Sequence, residues 1–255
     1  MTSTEQGRRK YDALADRYEE IYFYVADVGR RLVDFAEPPP GARLLDVGAG
    51  RGAVARAALA HGCVVTAVDA SAGMVDRLAA DHPEITARQQ DAGRLDFPSD
   101  SFDVVTAGFL VQVLTEPDAA LAEFRRVLAP GGTVALSLER QEIGRLGWLH
   151  ELNQEFFGGG GGGEPLTAAR LDELLVEAGF TPPTQVEIDI PKSLPSAVAM
   201  WDWLALQGIP DALATLPDGH ADAFKEKFFV GAESMRTEDG IVLEFGATLH
   251  RATLA

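Results

Sequence analysis

Apolar positions in the opening segment follow a helical beat and then give way to short apolar runs. Between residues 8 and 36, Leu14, Tyr18, Ile21, Tyr22, Val25, Val28, Leu32 and Phe35 recur close to helical spacing, which predicts helix. Pro38-Pro39-Pro40-Gly41 stops it. From there strand and helix patterns alternate. Arg43 to Val47 reads as a strand, and a glycine-rich turn leads into a helical run from about Ala53 to Ala60. Val64 to Asp69 reads as a strand, and Ser71 is a predicted N-cap for a helix through Met74, Val75, Leu78 and Ala79. Ile85 to Gln89 and Phe102 to Ala107 are further strands. A helix over Ala119 to Leu128 is expected to end at Pro130-Gly131-Gly132, and Thr133 to Leu138 is the next strand. This alternation predicts an α/β chain with a mainly parallel sheet and helices on both faces.

The second half is less regular. Six consecutive glycines at 158–163 are low in complexity and predict a flexible loop or linker. A helix over Thr167 to Ala178 stops at Gly179, and a strand over Gln185 to Ile190 is closed by Pro191. Residues 195–238 read as a mostly helical insertion, and Ile241 to Thr253 as a final strand region. The organisation expected is a single domain over 1–255: N-terminal helices to residue 40, a cofactor-binding half over 41–139, and a substrate-side half over 140–255.

Composition narrows the partners. The 255 residues carry 22 basic and 39 acidic side chains, a formal charge of −17. Such a surface repels phosphate backbones and anionic lipids, so nucleic acid and membrane are not expected partners. The basic run Arg8-Arg9-Lys10 reads as solvated. With one cysteine, Cys63, there is no intrachain disulfide, and its apolar neighbours place it in the core. The five histidines lie far apart, without metal-ligand spacing, so no metal is expected. The opening residues lack an apolar signal core, and no run approaches the roughly 18 apolar residues of a membrane span. A cytoplasmic protein is the expectation.

The chemistry concentrates in Asp46-Val47-Gly48-Ala49-Gly50-Arg51-Gly52. Glycines between a strand and a helix let the backbone approach a ligand and aim amide groups at it. Gly48-x-Gly50-x-x-Ala53 also fits a dinucleotide fingerprint, and Asp69, at the end of the second strand, stands where a carboxylate accepts from ribose hydroxyls. The glycines alone therefore leave a nicotinamide-dependent oxidoreductase open. Asp46 argues the other way. A carboxylate two residues before the first glycine would face a pyrophosphate at a Coulombic cost, whereas beside the amino group of an amino-acid-like cofactor it is favourable.

Four blocks in order extend the argument: Leu44 to Gly52, Val68 to Met74, Gln90 to Pro98 with Ser101 to Val105, and Arg125 to Gly132. Together they resemble the class I S-adenosylmethionine (SAM) methyltransferases, in particular the ubiquinone/menaquinone C-methyltransferase-like group acting on small molecules. The resemblance runs from about Tyr11 to Leu138. It implies a Rossmann-like, doubly wound sheet of seven strands, with a helical N-terminal segment and a helical lid insertion. It further implies that Asp46 and the loop Gly48, Ala49, Gly50 and Gly52 hold the methionine part of SAM. Asp69, with Ala70 beside it, would bind the ribose. Met74 would pack near the adenine, and Asp91 and Ala92 would meet the adenine edge. Ala107, Gly108 and Phe109 would lie beside the sulfonium, and Tyr11 and Tyr18 would cap it from the N-terminal helix, where aromatic faces favour a cation. The product would be S-adenosylhomocysteine.

Methyl transfer from a sulfonium is an in-line displacement that needs alignment and desolvation, and a base only where the acceptor must lose a proton. Candidates for that proton are His150, Glu139, and Tyr22 or Tyr24, with Gln112 as a polar positioner. Many relatives place histidine after the fourth strand, where this chain has Phe109-Leu110-Val111-Gln112. Specificity is expected from the N-terminal helices, the segment 140–165 and the insertion. Trp148, Phe156, Phe157, Trp201 and Trp203 there suit either an apolar acceptor or lid packing. The expected acceptor is a small organic molecule of the secondary-metabolite kind, with oxygen, nitrogen and carbon acceptors all open. A SAM-fold protein performing a cyclisation or pericyclic reaction, or a SAM-binding regulator, is the alternative.

Overall fold

The computed structural model describes residues 3–140, 144–158 and 165–254. Of the glycine run, Gly158 caps a helix, and residues 159–163 lie outside the described residues. The chain forms two compact units. One comprises Met1–Glu139, Leu166–Ile188 and Ala247–Ala255, the other Arg140–Pro165 and Asp189–Gly246.

In the first unit the opening helical pattern breaks twice, giving α1 (Ser3–Leu14), α2 (Tyr18–Ile21) and α3 (Val25–Ala36). The breaks have a consequence. In one continuous helix Tyr22 and Tyr24, two residues apart, would face different ways. Here their ring centroids are 6.4 Å apart. α3 buries Val28, Leu32 and Val33 and ends on Glu37, which takes a left-handed conformation before the prolines.

Then come β1 (Arg43–Val47), α4 (Ala53–Ala60), β2 (Val64–Asp69), α5 (Ala72–Asp81), β3 (Thr86–Gln89), β4 (Phe102–Gly108), α6 (Pro117–Val127) and β5 (Leu128–Glu139). Ser71 caps α5 as its sequence position predicts, its Oγ accepting from the Met74 amide at 3.1 Å. The apolar runs at Leu44-Leu45, Val104-Val105 and Val134-Ala135-Leu136 are fully buried, as parallel strands covered on both faces must be. The expected helix stop at Pro130-Gly131-Gly132 is displaced. α6 ends at Val127, and those three residues fall within β5, where the register with β4 shifts between Phe102 and Val104.

After α7 (Gly147–Phe157) and α8 (Ala168–Glu177) come β6 (Thr184–Leu194), α9 (Ala197–Leu206), α10 (Ile209–Leu213), α11 (His220–Ser234), β7 (Arg236–Thr237) and β8 (Gly240–Thr253). The sheet order is β3-β2-β1-β4-β5-β8-β6, with β7 paired to β8. β1 to β5 are mutually parallel, and β8 is antiparallel to β5. The expected closure of β6 at Pro191 does not occur. β6 ends the strand order, and an edge strand tolerates a residue without an N–H.

The second unit has a different core. α7, α9, α10 and α11 bury Met200, Phe224, Phe228 and Leu213, with Trp148, Phe156, Trp201 and Trp203 packed against them. Trp201 lies 5.1 Å from Phe228, centroid to centroid, and the Trp148 indole N–H donates to the Met235 sulfur at 3.1 Å. Most of the aromatics expected to favour an apolar acceptor are thus part of this unit's own packing. Among the described residues no helix is long and apolar enough to cross a membrane.

Candidate functional site

The order of the parallel strands reverses between β1 and β4. In open α/β sheets the crevice beyond the carboxyl ends at such a point receives ligands. A cavity of about 410 Å³ lies there, built wholly from the first unit.

One wall is backbone. The β1–α4 turn is pinned where the Gly48 and Ala49 amides both donate to the Val68 carbonyl, at 2.8 and 3.0 Å. Gly48, Gly50 and Gly52 all take positive φ, at 68°, 53° and 82°. A Cβ on Gly48 would stand 2.7 Å from Leu110 Cδ1, and one on Gly52 would stand 2.4 Å from Leu78 Cδ1. The positive φ favours glycine at both, and a larger residue would also have to push a leucine side chain aside. Asp69 holds the loop in place. One carboxylate oxygen accepts from the Gly50 amide and the other from the Ser71 amide, each at 2.8 Å. Ser71 and the Gly73 amide in turn donate to Asp12 at 2.5 and 3.1 Å, which ties α1 to the start of α5.

Beneath this wall Asp46 is 1% exposed. The β1–β4 register sets it opposite Thr106, whose hydroxyl donates to it at 3.0 Å, and the Ala55 amide donates to its other oxygen at 3.1 Å. Burial pushes its carboxyl up to about 7 against these two donors. Asp69 is also raised, first by burial.

The opposite wall is side chains. Tyr11, Tyr18, Tyr22 and Tyr24 come from α1, α2 and the turns beside them, and Phe109 follows β4. Tyr18 and Tyr22 have centroids 4.9 Å apart, and Tyr24 meets Phe109 edge-on at 5.9 Å. Phe109 takes a φ of 55°, held by its amide donating to the Ser137 carbonyl and hydroxyl. A non-glycine residue there costs about 1–2 kcal/mol, and such strain clusters at functional sites. All four tyrosine hydroxyls are raised above their usual range, chiefly by burial. Glu139, ending β5, is accessible in this wall yet crowded enough that burial raises its carboxyl too, opposed by hydrogen bonds from Gln112 and Tyr24.

Of the residues singled out from the sequence, Tyr11, Tyr18, Gly48, Gly50, Asp69, Ala70, Met74, Asp91, Ala92, Phe109 and Gln112 line this cavity. Asp46 and Ala49 face a smaller recess of about 30 Å³ that shares Tyr18, Gly48 and Phe109 with it. Gly52 caps α4, and Ala107 is fully buried inside β4, so both support the wall from behind. Asp91 closes its own turn, accepting from the Gly93 amide at 2.8 Å. His150 is exposed on α7 in the second unit, with its Nε2 2.8 Å from Gln154 Nε2. Sequence reasoning missed Thr106, Ser137 and Asp12, the positioners of Asp46, Phe109 and α5. The signal for the first two was a hydroxyl inside an otherwise apolar buried strand.

A family model described as a methyltransferase domain matches residues 45–136. The nocamycin O-methyltransferase of Saccharothrix syringae is 31% identical over 230 residues, covering 78% of this chain and 81% of that protein. A demethylmenaquinone methyltransferase of Renibacterium salmoninarum is 39% identical over 108 residues, 42% of this chain and 46% of that one. The crystal structure of the [4+2]-cyclase SpnF shares the fold with a TM-score of 0.63 at 19% identity, covering 100% of this chain and 98% of that chain.

Proposed function

Because the chain belongs to the S-adenosylmethionine-dependent methyltransferases, we propose that it methylates a small organic molecule of secondary metabolism on an oxygen atom. The likeness to an O-methyltransferase supports the oxygen acceptor. The observation that carries the cofactor's place is the glycine wall, whose Gly48, Gly50 and Gly52 all take positive φ and whose loop is tied to the Asp69 carboxylate.

The residues fit the cofactor. Asp46 accepts one bond from each of two donors, and a carboxylate has about four acceptor sites, so it retains capacity for an ammonium group. In this reading Asp46 and the loop Gly48 to Gly52 hold the methionine part, Asp69 and Ala70 the ribose, and Met74, Asp91 and Ala92 the adenine. SAM supplies an electrophilic methyl group on a positively charged sulfur. Tyr11, Tyr18 and Phe109 present aromatic faces suited to that charge and exclude water from the transfer. The wall positions the acceptor, which is where most of the catalysis lies for a leaving group already activated. The acidic balance of the chain fits an enzyme without nucleic-acid or membrane partners.

Isothermal calorimetry tests the reading. SAM and S-adenosylhomocysteine are expected to bind with 1:1 stoichiometry and NADH not at all, and binding of NADH alone would overturn it. Labelled methyl from SAM should then appear in a hydroxylated acceptor. Cofactor binding with no label transferred to any acceptor, but with acceptor isomerised, would favour a cyclising catalyst instead.

A further inference from the structure

All four tyrosines of the chain line the same cavity. Their rings meet tilted or edge-on, leaving apolar faces for a flat, partly apolar molecule, and their hydroxyls keep the wall from being purely apolar. Within that wall Glu139 is clamped on two sides. Its backbone amide donates to Gln112 Oε1 at 2.8 Å, and the Gln112 amide nitrogen lies 3.5 Å from Glu139 Oε2. The Tyr24 hydroxyl donates to the same carboxylate. The other charged groups on the cavity are Arg8, Asp69 and Asp91. Asp69 and Asp91 accept from loop amides and, in the reading above, face the ribose and the adenine of the cofactor. Arg8 is exposed on α1, and the neighbouring Arg140 pairs with Asp189. Glu139 differs from both aspartates. Its side-chain partners fix its direction and leave acceptor capacity toward the cavity.

We propose that Glu139 is the proton acceptor for a planar hydroxylated substrate, a phenol or an enol, held among the tyrosine rings, with Gln112 and Tyr24 as positioning residues. The inference rests on the methyl-transfer reading above. The acceptor oxygen uses an electron pair to form the new O–CH3 bond. The pair of the broken S–CH3 bond stays with sulfur, and the O–H proton ends on a Glu139 carboxylate oxygen while its bonding pair remains on the acceptor oxygen. Crowding lifts the Glu139 carboxyl above its usual range, so it holds a proton more strongly than a solvated glutamate. The two donors oppose that rise and favour the ionised form that must receive the proton.

The experiment uses the full chain saturated with S-adenosylhomocysteine and 4-nitrophenol as probe, whose ionised form is yellow. Opposite an ionised Glu139 the bound phenol resists ionising, because two anions would then face each other. The ionisation midpoint of bound probe is expected about one pH unit or more higher in the wild type than in Glu139→Gln. Glu139→Asp, which restores a carboxylate, should recover most of that difference. With unsubstituted phenol as acceptor, which stays protonated near neutral pH and so needs a base, Glu139→Gln should also lower kcat for methylation by roughly 100-fold or more, with KM for SAM within about threefold. Equal midpoints in wild type and Glu139→Gln, or no binding of the probe to the wild type, overturn the inference. If SAM still binds in those cases, the methyltransferase reading stands, and only loss of SAM binding by the wild type would remove both.

Discussion

The two walls of the cavity are made of different material. One side is the backbone of a tight glycine turn whose amides are held by neighbouring acceptors, and the other is aromatic rings and one carboxylate. The glycine wall is local: Asp46 to Gly52 are contiguous, and the partners that pin them, Val68 and Asp69, end the neighbouring strand. The tyrosine wall is gathered from α1, α2, the turn after β4 and the end of β5. The first suits a cofactor whose shape does not vary. The second suits an acceptor that differs between enzymes, because side chains are replaced more easily than a turn whose positive φ angles favour glycine.

If the glycine wall depends on a carboxylate for its shape, Asp69→Ala should produce the largest effect. Two loop amides lose their acceptor, and SAM affinity measured by calorimetry should fall by about 3 kcal/mol, roughly 100-fold. A fall of less than about threefold would mean that the turn holds itself and that the contrast between the walls is misplaced.

Asp46→Asn sharpens the comparison from beneath. The folded carboxyl is raised from 3.8 to about 7. Between those values the native state holds a proton that the unfolded chain has released. The group's stabilising contribution is therefore full below about 4 and is lost as pH rises through about 7. At about 1.4 kcal/mol per unit its ceiling is about 4 kcal/mol. Thermal unfolding without cofactor should fall less steeply between pH 4 and 7 in Asp46→Asn, by on the order of 1–4 kcal/mol, while SAM binding weakens. An unchanged pH slope would remove Asp46 as its source.

His150→Ala should do least. The side chain is exposed on α7, with a contact to Gln154, so stability should shift by less than about 0.5 kcal/mol and SAM affinity by less than twofold. A drop of more than tenfold in methyl transfer would bring the second unit into the chemistry and break the assignment of the acceptor side to the tyrosine wall.

What was legible from the residues alone was short in range. Strands β1, β2 and β4, the glycine turn and the cap at Ser71 are decided by neighbours within a few positions, so periodicity and turn chemistry suffice. The breaks after Leu14 and Ile21 escaped notice because the apolar spacing runs on across them. The passage of β5 and β6 through their prolines escaped because strand pairing, a long-range event, overrides a local stop signal.

The sequence by itself therefore determined the class of fold and the glycine turn, since alternating strand and helix patterns and three spaced glycines leave few other structures open. Only the tertiary structure decided which groups meet. Register between β1 and β4 brought Thr106 to Asp46. Two helix breaks and the end of β5 brought four tyrosines and Glu139 to one cavity. Those meetings depend on closing long loops and on burying apolar faces at a distance, and no local pattern records either.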